Sequence, residues 1–277
     1  MNEKALGFFK NLTKHAKPET VKLAHNTDYT DLDAKFILKY ATKESEILDL
    51  GTGTGLIVNK LYSFVGHIVC VESFKEFTQF IVDSENVTIV NQDLFAFETS
   101  RKFDIITAFG IMQYMNEQES LKLYSKYKEF LKPNGIFIIK NQFGIHETVN
   151  VAGYSEEQKQ DYYSQYRHID KEKETLMQLG FELVEIYDIY PKEANRWAAG
   201  GGGEAERYIL LCPCRLRWRV IRRIITRLLL RCRAFAVVIA SEVKKSTGTE
   251  SPEKARAKLW RSHSTAPLWI PQFLIRK

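Results

Sequence analysis

Three glycines at alternating positions, Gly51, Gly53 and Gly55, follow the acidic Asp49 at the end of the apolar run Ile47-Leu48-Asp49-Leu50. Glycine carries no Cβ, so it lets the chain turn sharply and lets a ligand come close to the backbone. The apolar run suits a parallel strand covered on both faces, and a helix expected over residues 56–64 would aim its free N–H groups at a ligand. Strand, glycine turn and helix in that order make a nucleotide-cofactor site. Glu72 closes a second apolar run, His67-Ile68-Val69-Cys70-Val71, seventeen residues past Gly55. One helix and one strand fit between them, and a carboxylate placed there can accept both ribose hydroxyls of an adenosine. A third run, from Asn86 to Leu94, is rich in β-branched residues and ends in Asp93-Leu94. Each feature has a plainer reading: a glycine loop without a ligand, a solvated strand end at Glu72, a helix cap at Asp93. Three of them in register favour a shared ligand.

Spacing separates two cofactor classes. A dinucleotide fingerprint needs its third glycine three residues after the second, and Leu56 stands there. The G-x-G-x-G form after an acidic residue instead resembles motif I of class I S-adenosylmethionine-dependent methyltransferases. The turn Lys132-Pro133-Asn134-Gly135 is also frequent in that family before its fifth strand. The resemblance implies S-adenosylmethionine as cofactor, with Asp93 receiving the adenine amino group and the Leu94 N–H meeting a ring nitrogen. Asp49, Gly51, Thr52, Gly53, Gly55, Glu72, Ser73, Phe109 and Gly110 complete the implied cofactor set, and no metal is expected.

Further apolar runs supply the scaffold. Residues 103–110 read as a fourth strand and 117–130 as a helix with Leu121, Leu123, Tyr124 and Tyr127 on its apolar side; Ile136 to Lys140 read as a fifth strand. A helix is expected from Gln165 to Gly180, stopped by the glycine, then a sixth strand over 181–187 and a seventh over 207–212. Strands alternating with helices argue for a parallel sheet with helices on both faces. The family resemblance extends this to an α/β, Rossmann-like three-layer sandwich with a seven-stranded, mostly parallel sheet in the order 3-2-1-4-5-7-6. Residues 1–45 are expected as a helical cap, with His25 to Tyr40 over the cofactor cleft, 46–215 as the core, and 216–277 as an appended basic tail.

Ligands in open α/β sheets bind beyond the carboxyl ends of the strands. The fourth strand ends in Phe109-Gly110-Ile111-Met112-Gln113-Tyr114. Many members of the resembled family have histidine where Gln113 stands, and glutamine cannot act as a base. Gln113 or Tyr114 is therefore expected to orient an acceptor, with packing under the cofactor an equal alternative for Tyr114. The absence of an Asn/Asp-Pro-Pro-Tyr motif here points away from N-methylation. The connection from Asn141 to His168 concentrates polar aromatics, as sites for hydroxyl-rich small molecules often do, and its length suits a lid. Tyr163, Arg167, His146 and His168 are its candidates for acceptor binding or catalysis. Both histidines have an unperturbed pKa near neutrality, although a structural or exposed role fits each at least as well. The pattern Tyr-x-x-Gln-Tyr-Arg at Tyr162 to Arg167, followed by Tyr187-Asp188-Ile189-Tyr190-Pro191 and Asn195-Arg196-Trp197, loosely resembles bacterial surface-polysaccharide and sugar methyltransferases. O-methylation of a small, sugar-like acceptor is the resulting expectation. An NAD-dependent oxidoreductase and a non-catalytic cofactor-binding or RNA-associated module are the alternatives.

Charge is divided along the chain. Residues 1–199 hold 23 Lys+Arg against 29 Asp+Glu, whereas residues 200–277 hold 17 against 5, so the overall +6 comes from the tail. An acidic core does not suggest an obligate nucleic-acid substrate. Arg215 to Arg231 would form a basic amphipathic helix able to meet polyanions or a membrane surface. Residues 237–246 resemble instead the translation of a dispersed bacterial genomic repeat, which would make the tail non-native or accessory. Met1 to Lys17 lacks the continuous apolar core of a secretory signal, and no run approaches the roughly 20 residues of a membrane span. The four cysteines suggest no disulfide framework, and a cytoplasmic location is expected.

Overall fold

The computed structural model describes residues 3–20, 29–155, 160–188 and 204–212. The chain divides into two units, Met1–Leu216 and Arg217–Lys277, and every described residue lies in the first. Five strands, β1 (Glu46–Leu50), β2 (His67–Val71), β3 (Val87–Val90), β4 (Phe103–Phe109) and β5 (Leu131–Gly144), run parallel in the order β3-β2-β1-β4-β5. Beyond β5 the sheet is extended by β9 (Glu204–Cys212), antiparallel to it, and then by β8 (Glu182–Asp188), antiparallel to β9. A separate antiparallel pair, β6 (Val149–Ser155) and β7 (Gln160–Tyr166), is inserted after β5.

Alternation along the buried strands builds the two faces of the core. Leu48, Leu50, Val69, Val71, Ile106, Ala108, Phe137 and Ile139 share one apolar cluster with Leu123, Tyr124 and Tyr127 of α5 (Glu117–Glu129) and Leu176 of α6 (Ile169–Gln178). Ile47, Ile68, Cys70, Ile105 and Ile138 share the other with Ala34, Phe36 and Ile37 of α2 (Thr30–Leu38) and Val58 and Leu61 of α3 (Val58–Leu61). Full burial of each such side chain stabilises by about 1.5–3 kcal/mol. α5 starts where it does because Asn116 and Glu119 form a reciprocal capping box, each side chain accepting the other's backbone N–H at 2.9 Å.

Two expectations need correction. The helix foreseen from Gln165 begins only at Ile169, and residues 160–166 are a strand. Tyr162 and Tyr166 are spaced for one face of a helix, but Tyr162, Ser164 and Tyr166 also fit one face of a strand, and pairing with β6 selects the strand. The helix foreseen over 56–64 shrinks to the four residues of α3 and a 3-10 turn, Tyr62–Phe64. So short a helix has little dipole to offer, and ligand anchorage passes to the glycine loop itself.

Candidate active site

The carboxyl ends of β1, β2 and β4 meet at one edge of the sheet. Leaving β1, Gly51, Gly53 and Gly55 all adopt positive φ, at 65°, 58° and 75°, where a side chain would be strained. A Cβ on Gly51 would also lie 2.4 Å from the Ile111 side chain, so the loop after β1 closes against the loop after β4. The N–H groups of Gly51 and Thr52 both donate to the Val71 carbonyl, at 2.8 and 3.2 Å, which straps the glycine loop over the end of β2. There the buried Glu72 carboxylate accepts the Gly53 N–H on Oε2 at 2.8 Å and the Phe74 N–H on Oε1 at 2.9 Å. Burial raises its pKa, and backbone hydrogen bonds from Phe74, Gly53 and Ser73 oppose the rise. A carboxylate has about four acceptor positions, so capacity remains for a ligand.

Asp49 lies buried inside β1, where Thr107 of β4 donates to its Oδ1 at 2.5 Å. Burial lifts this carboxyl to about 6, against the hydrogen bonds of Thr107 and Thr52. Thr52 also donates to the Asp49 carbonyl, and the buried Thr54 hydroxyl donates to the carbonyl of Pro18, tying the N-terminal segment to the glycine loop. Ser73 is exposed and donates to Gln92 O at 3.4 Å. Past β3, Asp93 is exposed, and its Oδ1 accepts the Phe95 N–H at 2.7 Å. That turn occupies one carboxylate oxygen. Leu94 is buried, and its N–H is unpaired among the described residues. Gly110, at φ 67°, donates its N–H to Lys140 O at 2.7 Å, and a Cβ there would meet nothing within 4 Å. Phe109 is half-buried, with the Lys140 ammonium 5.4 Å from its ring centroid. Lys140 is itself ion-paired at 2.7 Å to the fully buried Asp33 of α2, which pins that helix to the end of β5.

The acceptor candidates divide. Gln113 and Tyr114 are buried in the 3-10 turn Met112–Tyr114. Tyr114 packs edge-on against Phe9 of α1 (Glu3–Leu12) and against Tyr162 of β7, with centroids 5.0 and 6.3 Å apart. Burial and the neighbouring Tyr162 push its hydroxyl well above the ordinary tyrosine pKa. The Gln113 side-chain oxygen accepts from Gln142 N at 3.5 Å. Tyr163 is half-buried on β7, opposite Ala152. His146 is exposed, whereas His168 places Nε2 3.0 Å from Ile145 O and its backbone N–H 3.1 Å from Thr148 Oγ1.

Arg167 departs from its expected role. Its guanidinium is buried and makes five hydrogen bonds: to both carboxylate oxygens of Glu172, to the carbonyls of Met112 and Met115 at 2.9 and 3.1 Å, and to the Tyr124 hydroxyl. Those bonds use all five of its donors. Burial alone would lower its pKa, but Glu172 and Tyr124 hold it above the ordinary value. The residue is an internal clamp between β7, α6 and the turn after β4, and it has no donor left for an acceptor molecule.

Residues 47–135 match the family model described as a methyltransferase domain. The chain carries a methyltransferase domain. No curated protein sequence matches it. Among solved structures, the domain resembles DhpI in complex with S-adenosylhomocysteine, at 14% identity over 77% of this chain and 99% of that one, with a TM-score of 0.59. It also resembles the 1,6-didemethyltoxoflavin-N1-methyltransferase of Burkholderia thailandensis, at 14% identity over 76% and 87% of the two chains and a TM-score of 0.55. An S-adenosylmethionine-dependent methyltransferase of Clostridium acetobutylicum is similar at 14% identity, 75% and 100% coverage and a TM-score of 0.53. At these identities the likeness is one of fold: a Rossmann-like α/β methyltransferase fold.

Within that domain, sequence reasoning missed Thr107 and the Asp33–Lys140 pair. A polar residue at the end of an apolar strand, as Lys140-Asn141 follows Ile136 to Ile139, was the available signal. Among the described residues no group of His, Cys, Asp and Glu could hold a metal ion, and no helix is long and apolar enough to cross a membrane.

Proposed function

We propose that the domain binds S-adenosylmethionine over the Gly51–Gly55 loop and transfers its methyl group to an oxygen of a small, hydroxyl-rich acceptor. The Glu72 carboxylate carries this reading: two backbone N–H groups fix it, one of them from the middle glycine, and it keeps acceptor capacity for two ribose hydroxyls. The exposed Asp93 carboxylate and the Leu94 N–H, unpaired among the described residues, suit the edge of an adenine. Asp49 supplies negative charge near a cationic donor. The bound donor provides a methyl group already activated for transfer, so the chain's own work is alignment, which can lower a barrier by about 7–11 kcal/mol. Gln113 cannot titrate, and Tyr114 is held protonated. The 112–114 turn therefore orients an acceptor hydroxyl rather than deprotonating it.

The sugar-like acceptor is supported by the aromatic hydroxyls of Tyr114, Tyr162 and Tyr166 gathered where β7 packs on that turn. Residues 46–215 form the catalytic unit in this reading, and 216–277 are dispensable to it. Calorimetry should show binding of S-adenosylhomocysteine and none of NAD; the reverse would overturn the donor assignment. A screen with labelled donor against sugars, nucleotide-sugars, small metabolites and RNA tests the acceptor. Product on nitrogen alone, or on RNA alone, would overturn that half.

A further inference from the structure

Thr107 stands directly across from Asp49 in the β1–β4 register, and Cys70 stands across from Asp49 on β2. On β5 the partner of Thr107 is Ile138. Ile47, Ile68 and Ile105 lie two residues before this row, on the same apolar face. Both polar side chains of the row are buried, Thr107 to 1% exposure and Asp49 to 8%. A buried hydroxyl or carboxyl is costly unless it is hydrogen-bonded, and these two satisfy each other: the Thr107 hydroxyl donates to Asp49 Oδ1 at 2.5 Å. Two residues beyond Asp49 the chain enters the glycine loop at Gly51. Distances decide which form of Asp49 this arrangement favours. A hydroxyl has one proton to give, and with Asp49 ionised it goes to Oδ1 in a charge-assisted bond. A protonated carboxyl would either take a weaker bond from the same hydroxyl or donate to Thr107 Oγ1. In the second case the hydroxyl must turn to the Leu48 carbonyl at 3.5 Å, beyond the usual O–H···O range.

We infer that Thr107 is a positioning residue for the methyl donor: it holds Asp49 in its charged form at the foot of the glycine loop, where the carboxylate meets the donor's cationic end. The inference rests on the donor reading above. Burial drives the Asp49 carboxyl up to about 6, and the Thr107 hydrogen bond is the larger of the two that oppose it. The other titratable groups on this face are placed differently. Burial holds Cys70 as a thiol, and Glu72, two residues further along β2, carries the same sign of charge as Asp49. Lys140 of β5 is paired with Asp33 of α2, and Lys60 of α3 with Asp31 of α2. Lys35, Lys39 and the charged residues between 14 and 19 are exposed, and Tyr40 and Tyr62 border the apolar cluster half-buried. Thr107 is thus the side chain that bears on Asp49 from within the sheet.

The test is calorimetry on the full chain, titrated between about pH 5 and about pH 8 with S-adenosylmethionine and separately with 5′-methylthioadenosine, which keeps the nucleoside but lacks the sulfonium charge and the amino group. In the parent, affinity for S-adenosylmethionine should rise as Asp49 ionises. Thr107→Val removes a bond to the charged form, so that rise should move up by about one pH unit, and binding at about pH 6.5 should weaken several-fold. Thr107→Ala should act in the same direction, and Thr107→Ser, which keeps the hydroxyl, should restore the parent's profile. Affinity for 5′-methylthioadenosine should be alike in all four chains. A profile unmoved by both Thr107→Val and Thr107→Ala overturns the inference. So does an equal loss of 5′-methylthioadenosine binding, which would make Thr107 a packing residue only. The Asp49 carboxyl ¹³C signal of the ligand-free chain, assigned by its loss in Asp49→Asn, separates the two readings. If it titrates higher in Thr107→Val while S-adenosylmethionine binds neither chain, the donor assignment falls and this inference with it; if it does not respond while S-adenosylmethionine binds, the role of Thr107 alone falls.

Discussion

The edge proposed to hold the donor and the region proposed to hold the acceptor are built by different means. Along the proposed donor edge the backbone does most of the shaping: three positive-φ glycines, the strap onto Val71 and the N–H groups that aim Glu72 all lie within residues 51–74. The proposed acceptor region is assembled by side chains from distant segments, with Phe9, Tyr114 and Tyr162 packed together and Arg167 reaching back over fifty residues to Met112 and Met115. Backbone recognition depends on a local pattern and tolerates little change within it. Side-chain assembly depends on the whole fold, so damage there should first appear as lost stability or lost acceptor use.

The sharpest break of this contrast is Gly53→Val. A branched side chain at φ 58° beside the Glu72 hydrogen bond should abolish S-adenosylhomocysteine binding in calorimetry while far-UV circular dichroism stays near that of the parent. Next in size is Arg167→Leu, which leaves Glu172 buried without its partner. Breaking a buried pair in this way costs about 3–5 kcal/mol, a fall in melting temperature of roughly 6–20 °C at about 2–4 °C per kcal/mol. Nucleoside affinity per folded molecule should be retained, and a loss matching Gly53→Val would erase the division between the two sides.

Glu72→Ala should weaken binding by about 1.5–3 kcal/mol, or roughly 10- to 150-fold, because charge-assisted hydrogen bonds to the ribose disappear. Unchanged affinity would take Glu72 out of the donor side. For Asp49 the pH window is set by its rise from 3.8 to about 6. Between those values the folded chain holds a proton that the unfolded chain has released, so this group's contribution to stability falls as pH rises through the window. Asp49→Asn should flatten that part of the profile and stabilise the chain at pH 7 by up to about 3 kcal/mol. It should also remove the tightening of S-adenosylmethionine binding as pH rises through about 6, measured by calorimetry. The smallest expected effect is that of ending the chain after Arg215, since the described sheet is complete at Cys212. Binding and activity should be unchanged, and a marked loss of either would bring the tail into the working unit.

The gathering of the candidate donor residues at one edge was legible because its information is local. Asp49, the three glycines, Glu72 and Asp93-Leu94 sit at the ends of successive strands, and the strand order brings those ends together. The acceptor side was only half legible. Gln113 and Tyr114 do follow the fourth strand, but Arg167 read as a ligand group when the start of α6 at Ile169 sets Glu172 where it takes both arms of the guanidinium.

By itself, then, the sequence determined the Rossmann-like order of elements and the glycine turn after β1, because hydrophobic period and glycine spacing act over a few residues. Only the tertiary structure decided that residues 160–166 pair as a strand, that Arg167 clamps the turn after β4, and that Lys140 reaches Asp33 of α2. Each of those outcomes depends on contacts between segments far apart in the chain, where packing and hydrogen-bond completion outweigh local preference.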